Sequence, residues 1–370
     1  MSANAHLDVS PDTPRPQTTG SAAPHRSRIE SLGLKLPEGR LTTQELMASC
    51  KHRHRVDLER LTGIRERRVC AEGEDSFTLA VDAAWDCLAH SRYDPSDIEM
   101  LISCSITSYQ GLAYSLEPSF SLQIKEFIGA SQAIHFDVRN ACAGMVTGLY
   151  ILDDFIRRGV IRRGMVVSGE YITSISENAS RKVRAIISKQ LASLTVGDAG
   201  AAFIMERAEG ESEGIVACEL ATYAEHADLC IGIPCRDAPG AAMFTNAWKL
   251  QRVAIECAAP TILKGLEKSG LTPQDMDCLI PHQTSVRAIR AGMKRIAPKV
   301  GGLPNNIVYN LESYGNTAST THFVALYQYL EDRRFQPGER VALLVFASGV
   351  VCGGAILTMD ELCEKYGRDR

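Results

Sequence analysis

Two stretches half a chain apart carry one pattern. LAHSRYDPSDIEMLISCS (Leu88 to Ser105) aligns without a gap on LEKSGLTPQDMDCLIPHQ (Leu266 to Gln283). Ser91 matches Ser269, Pro95 matches Pro273, Asp97 matches Asp275, and Leu101-Ile102 match Leu279-Ile280, all at an offset of 178 residues. Each copy reads as the end of a helix, a proline turn and a buried strand. The segments downstream of each copy repeat too. VRNACAGMVTGLYIL opens one helix and YGNTASTTHFVALYQYL another, GMVVSGE (164–170) answers VALLVFASG (341–349), and GAAFIMER answers GGAILTMDE. Strands alternating with helices predict α/β layers around buried sheets, built twice.

The expected halves span 28–207 and 208–370. Residues 174–196 have no counterpart in the second half and are expected to form an inserted cap where substrate enters. Residues 1–27, rich in Pro, Ser, Thr and Ala with no apolar core, read as a disordered tail rather than a signal peptide. A net charge of -4 supplies no field for nucleic acid or anionic membrane. No apolar run reaches the ~18 residues of a membrane span. A cytoplasmic protein is expected. The 12 cysteines are scattered, many of them in apolar runs, and none forms a CxxC pair. That distribution predicts reduced thiols used as small hydrophobes and gives a metal site no support.

One cysteine differs. Cys142 stands between the apolar run 133–138 and a periodic apolar stretch, followed by the small residues Ala143 and Gly144. A thiol at the start of a helix is expected to have its thiolate favoured by the helix dipole and free backbone N–H groups, lowering its pKa. His282 directly follows the strand CLIP, where α/β sheets form ligand crevices, although alone it reads equally as a cap on the next helix. Asn316 is expected to open the helix equivalent to that of Cys142; its plain reading is an N-cap. Pseudo-symmetry should bring the two helix starts together, and with them a Cys, a His and an Asn. That set suits acyl-thioester chemistry. Papain-like proteases share the residue types but neither this duplicated order nor the local motif around the cysteine.

From about Arg28 to Glu361 the chain resembles the thiolase superfamily, in its ketoacyl-ACP synthase III branch. The resemblance rests on LTGIRERRV (61–69), DVRNACAGM (137–145), GDAGAA (197–202), PHQTSVRAI (281–289), GNTAST (315–320) and ASGVVCGGA (347–355). It implies a thiolase-like αβαβα five-layered sandwich, usually a homodimer, acting on CoA or acyl-carrier-protein thioesters without a metal or other cofactor. Cys142 then resembles the acyl-accepting nucleophile, and His282 and Asn316 the pair that stabilises the second substrate's enolate. The backbone N–H groups of Cys142 and Gly349 would form the oxyanion hole. The implied reaction is a ping-pong Claisen condensation in fatty-acid, polyketide or related metabolism.

Two positions depart from the initiating synthases. Where they carry an aromatic residue before a proline, this chain has Glu117, in YSLEPSFSLQ. Here it resembles the branch that joins two long acyl thioesters in olefin biosynthesis, whose glutamate is thought to serve the neighbouring subunit as a base. Where they carry an adenine-stacking tryptophan, this chain has Asp57. Lys249 and Arg252, in NAWKLQRVAIECA, are candidate contacts for an acidic carrier protein. The competing readings are a same-fold acyltransferase delivering the acyl group to an alcohol or amine, and a non-catalytic partner subunit. His282 and Asn316 count against the first, and Cys142 against the second.

Overall fold

A computed structural model describes residues 26–52, 56–111, 113–210 and 213–367. Residues 1–25, nearly all of the expected tail, lie outside the described residues. Ten strands form two five-stranded sheets: β1 (Ser27–Lys35), β2 (Met100–Ser103), β3 (Ile134–Asp137), β4 (Arg163–Glu170), β5 (Ala199–Arg207), β6 (Gly214–Thr222), β7 (Cys278–Pro281), β8 (Asn306–Ile307), β9 (Arg340–Ala347) and β10 (Val351–Thr358). The first sheet runs β1-β5-β4-β2-β3 and the second β6-β10-β9-β7-β8, the same order five strands later. In each, two antiparallel pairings are followed by two parallel ones. The two copies of the repeated motif form equivalent elements, a helix end, a 3-10 turn (Pro95–Asp97; Pro273–Asp275) and the strands β2 and β7.

Six helices complete the layers, with α4 outside them: α1 (Ser76–Ala89), α2 (Phe120–Ile128), α3 (Gly144–Arg157), α4 (Thr173–Ser180), α5 (Ala247–Ser269), α6 (Val286–Val300) and α7 (Thr321–Glu331). Strand residues point alternately to the two faces of a sheet, and the cores follow that alternation. Leu101, Met165, Val167 and Ile204 pack outward against α1 and α2. Met100, Ile102, Val166, Phe203 and Met205 pack inward with residues of α3 and α7, and so do Ile280, Leu343 and Val345 of the second sheet. Leu279 and Leu344 face outward with Ile255, Ile289 and Met293 of α5 and α6. The order is helix, sheet, helix, sheet, helix, as expected. Phe203 of the first sheet stacks on Phe323 of α7 at 4.5 Å between ring centroids, joining the halves at the centre. Each such buried side chain contributes about 1.5–3 kcal/mol.

The segment expected as a cap holds α4, a connecting stretch and a 3-10 turn (Leu191–Thr195). It packs on a hairpin of the second half (Cys230–Pro234 with Ala241–Thr245): Thr245 N donates to the Lys189 carbonyl at 2.7 Å, and Ser193 Oγ to that of Met243 at 3.1 Å. Among the described residues no helix is long and apolar enough to cross a membrane.

Candidate active site

The chain leaves β3, turns at Ala141 and enters α3. Ala141 has φ 46°, a left-handed conformation that a residue with a Cβ seldom adopts. Cys142 sits on the 3-10 turn Ala141–Ala143 that this conformation creates. Gly144 is required next, because a Cβ there would stand 2.8 Å from the Cys104 carbonyl oxygen. The second half repeats the device: Ala318 has φ 54°, and the 3-10 turn Ala318–Thr320 leads into α7. The two turns pack on each other, and Ala318 belongs to the apolar cluster around Cys142.

This equivalence corrects one expectation. The residue matching Cys142 is Ser319, and Asn316 precedes the turn instead of opening the helix. Asn316 is pinned by its backbone, N–H to the Thr195 carbonyl at 2.9 Å and carbonyl to the Gly197 N–H at 3.0 Å, so its turn is tied to the GDAGAA motif. Its Oδ1 accepts from Ala318 N at 3.0 Å, which leaves the amide N–H groups as the free donors of that side chain.

His282 follows β7 and is 4% exposed. Its backbone N–H donates to the Leu344 carbonyl of β9 at 2.9 Å. Burial, with His322 nearby, pushes the imidazole down to about 3, so it stays neutral at working pH. The turn carrying Cys142 also packs on β9. Gly349 lies just beyond the end of that strand with φ 130°, a conformation that favours glycine, and the next residue, Val350, exchanges backbone hydrogen bonds of 2.8 and 3.2 Å with Tyr223, just past β6. Cys142, His282 and Gly349 are thus tied to β9 by the packing of the Cys142 turn, by the Leu344 carbonyl and by the end of the strand, while Asn316 precedes the turn at Ala318 that packs on the Cys142 turn.

The expected low thiol pKa is overturned. Cys142 is half-buried, and burial of its thiol, the Cys230 thiol and the Glu170 carboxylate all push its pKa up, against a smaller opposing backbone hydrogen bond. Glu170, at the end of β4, was missed in the sequence. It is fully buried and accepts from Ile106 N at 3.0 Å, Thr107 Oγ1 at 3.3 Å, Ser168 Oγ at 3.2 Å and, by a short bond, Ser319 Oγ. Burial raises it to about 7 despite these donors. Its only legible signal was an acidic residue ending an apolar strand.

Glu170→Gln removes a negative charge that opposes thiolate formation, so alkylation of Cys142 by iodoacetamide is expected at lower pH than in the wild type. The gap should be widest above pH ~7, where Glu170 is ionised. Peptide mass mapping across pH reads it; superimposable profiles would remove Glu170 from the account.

Around Cys142 the walls are apolar: Ile106, Tyr114, Ile172, Ile175, Val196, Ala241 and Met243. From Tyr114 the chain runs outward to Leu116, 81% exposed, and to an exposed Glu117. Glu117 therefore does not join the apolar cluster around Cys142 of its own chain. Lys249 and Arg252 are exposed on α5. Neither lines the large surface groove, of about 840 Å³, whose walls include Asp57, Arg60, Arg65, Val286, Arg287 and Arg290. A smaller groove of about 430 Å³ shares Asp57, Arg60 and Arg287 and adds Arg184 and Ile186. The signal for these cations was Arg287 and Arg290, one helical turn apart directly after His282. Among the described residues no group of three His, Cys, Asp or Glu could hold a metal ion.

Two family models match the chain: 3-oxoacyl-[acyl-carrier-protein] synthase III over residues 136–224 and its C-terminal model over residues 266–359. The chain is 30% identical over 334 residues to a β-ketoacyl-[acyl-carrier-protein] synthase III of Deinococcus deserti, covering 89% of this chain and 91% of that protein. It is also 30% identical over 344 residues to the enzyme of the same name from Symbiobacterium thermophilum, covering 89% and 97%. In fold it resembles Xanthomonas campestris OleA with bound lauric acid and lauroyl-CoA (TM-score 0.79, 23% identity, 90% of this chain and 99% of that one). It equally resembles 3-oxoacyl-[acyl-carrier-protein] synthase III from Aquifex aeolicus (TM-score 0.76, 22% identity, 90% and 100%).

Proposed function

The chain belongs to the 3-oxoacyl-[acyl-carrier-protein] synthase III family, and on that premise we propose a ping-pong Claisen condensation of two acyl thioesters, with Cys142 as nucleophile. The observation that carries the assignment is the pair of left-handed turns at Ala141 and Ala318, packed together with Ala318 in the apolar cluster around Cys142, an arrangement that supports Asn316 acting beside Cys142.

In the first half-reaction the Cys142 sulfur attacks the thioester carbonyl. The C–S bond to the carrier breaks, and the carrier leaves as a thiol with the proton that Cys142 gives up. Backbone N–H groups of Cys142 and Gly349 face the developing oxyanion. In the second, the incoming thioester becomes an enolate by loss of CO2 from a malonyl group or of an α proton. The neutral His282 and the amide of Asn316 donate to its oxygen. The enolate carbon attacks the acyl carbonyl, the C–S bond to Cys142 breaks, and a 3-oxoacyl thioester leaves. Arg60, Arg287 and Arg290 of the large groove suit the phosphates of a CoA or carrier-protein arm. With Asp57 in place of an aromatic, those charges would hold the arm without stacking.

The sheet edge at β3 favours a homodimer. Ile134 is 58% exposed on that strand, and Phe127 of α2 62%. An unpaired apolar edge of this kind is covered in stable proteins, and a second copy is the symmetric way to do it. Leu116 and Glu117 are exposed as well, which suits a glutamate offered to the neighbouring tunnel. A second reading therefore stands beside decarboxylation: Glu117 as the base that takes an α proton from a second acyl chain.

Product analysis separates them. Wild type, Cys142→Ala and Glu117→Ala would each receive acyl-CoAs of several lengths, with and without malonyl-ACP. A 3-oxo product two carbons longer, dependent on malonyl-ACP and kept in Glu117→Ala, is the decarboxylating outcome. A product joining two acyl chains without malonyl and lost in Glu117→Ala is the head-to-head outcome. An acylated Cys142 that yields neither product would overturn condensation in favour of transfer to an alcohol or amine.

A further inference from the structure

The imidazole of His282 does not stand alone. His322, in the first turn of α7, is fully buried, with its ring centroid 5.8 Å from that of His282 and the planes 33° apart. The His322 Nε2–H donates to the Leu344 carbonyl at 3.0 Å. That same carbonyl accepts the backbone N–H of His282 at 2.9 Å. One oxygen of β9 therefore ties both histidines.

The same contacts fix the protonation. With Nε2–H committed to Leu344, His322 carries a lone pair at Nδ1. Both Nδ1 atoms, of His322 and of His282, are buried without a hydrogen-bond partner in the structure. A buried N–H left unpaired is rarer and costlier than an unpaired acceptor. His282 is accordingly an Nε2–H tautomer, with its donor on the ring nitrogen that is not walled in. Among the described residues no carboxylate or cation acts electrostatically on either ring; the influences are burial, His322 on His282, and the Leu344 carbonyl on His322.

We propose that His322 is a positioning residue for His282: through the shared Leu344 carbonyl and the ring contact it holds His282 as a neutral Nε2–H donor aimed at the second substrate's carbonyl oxygen. This rests on the reading of His282 as the enolate-stabilising donor, and it gives the chain a buried histidine pair where one imidazole would do the chemistry.

The test splits the two half-reactions in the full-length protein. Acyl loading of Cys142 is followed by intact mass and condensation by product formation, in wild type, His322→Val, His322→Phe, His322→Gln and His282→Ala. His322→Val and His322→Phe are expected to lower condensation about 10- to 100-fold, as a misaimed catalytic group does, while loading changes less than about threefold. His322→Gln keeps an N–H for Leu344 and should recover most of the loss. Nitrogen-15 NMR of His282 should show a single Nε2–H tautomer in wild type and a mixture in His322→Phe. Unchanged condensation in His322→Phe with an unchanged tautomer overturns the proposal; so do equal losses in both half-reactions with no rescue by glutamine. Should His322→Val fail to fold, the Phe and Gln variants carry the test. If His282→Ala itself condenses normally, the reading of His282 fails, whatever the His322 variants do.

Discussion

Cys142→Ala is expected to leave no acyl-enzyme and to lower condensation by at least about 10⁴-fold, the scale of losing a covalent nucleophile from a unit whose members act together. The pocket offers one other thiol of consequence. Cys230 lies near enough to weigh on the Cys142 thiol and hydrogen-bonds with Thr245 Oγ1 at 3.2 Å. It does not sit on a strained turn beside a backbone N–H pair, so it should not take the acyl group. Intact-mass spectra after incubation with an acyl-CoA decide the matter. An adduct persisting in Cys142→Ala and disappearing in the Cys142→Ala/Cys230→Ala double variant would move the nucleophile to Cys230. The fold should survive the substitution, since a methyl replaces a thiol in an apolar cluster.

His282→Ala and Asn316→Ala are expected to lower condensation about 10²- to 10³-fold each, the usual effect of deleting one oxyanion donor. Acyl loading should persist in both, because the first half-reaction uses the backbone donors at Cys142 and Gly349. The wild-type pH profile is set by the same site. Since burial holds His282 down to about 3, it should contribute no acid limb to the condensation rate near pH 6.5, where a free histidine titrates. A limb at that pH, absent from His282→Ala, would mean the imidazole is far less enclosed than its 4% exposure indicates. Loss of loading in Asn316→Ala would place Asn316 in the first half-reaction instead.

Much of this architecture was legible before any coordinates. Matched positions at one offset, with strands and helices after them in the same order, implied a duplicated α/β sandwich, and β2 and β7 are that match in three dimensions. The proposed nucleophile stands out in the sequence because Cys142 combines an apolar strand before it with Ala143 and Gly144 after it. What stayed hidden depended on backbone angles and on packing between distant segments. Nothing in the letters around Ala318 announces a left-handed φ, so Asn316 was expected to open the helix, although it precedes the turn on which Ser319 is the counterpart of Cys142. The thiol's raised pKa comes from enclosure by residues of the cap, the hairpin and β4, which no local motif records. Glu170 and His322 went unnoticed for the same reason. Each is an ordinary residue in its own segment and acquires its role from a partner distant in the chain, Ser319 for one and Leu344 for the other.

The strand order has a consequence for how the chain comes off the ribosome. In the first sheet β1 pairs with β5, Ser27 opposite Arg207, so the earliest strand waits for the latest before that sheet can close. Pairings of such long sequence separation close slowly. Even then the inner face of α3 has no cover, because the second sheet packed against it begins at Gly214 and ends only at Thr358. The nascent first half must therefore wait, sheet formed and one apolar layer bare, for nearly the whole second half to emerge. The fold is a duplication in history, but its central layer makes the two copies a single cooperative unit in assembly.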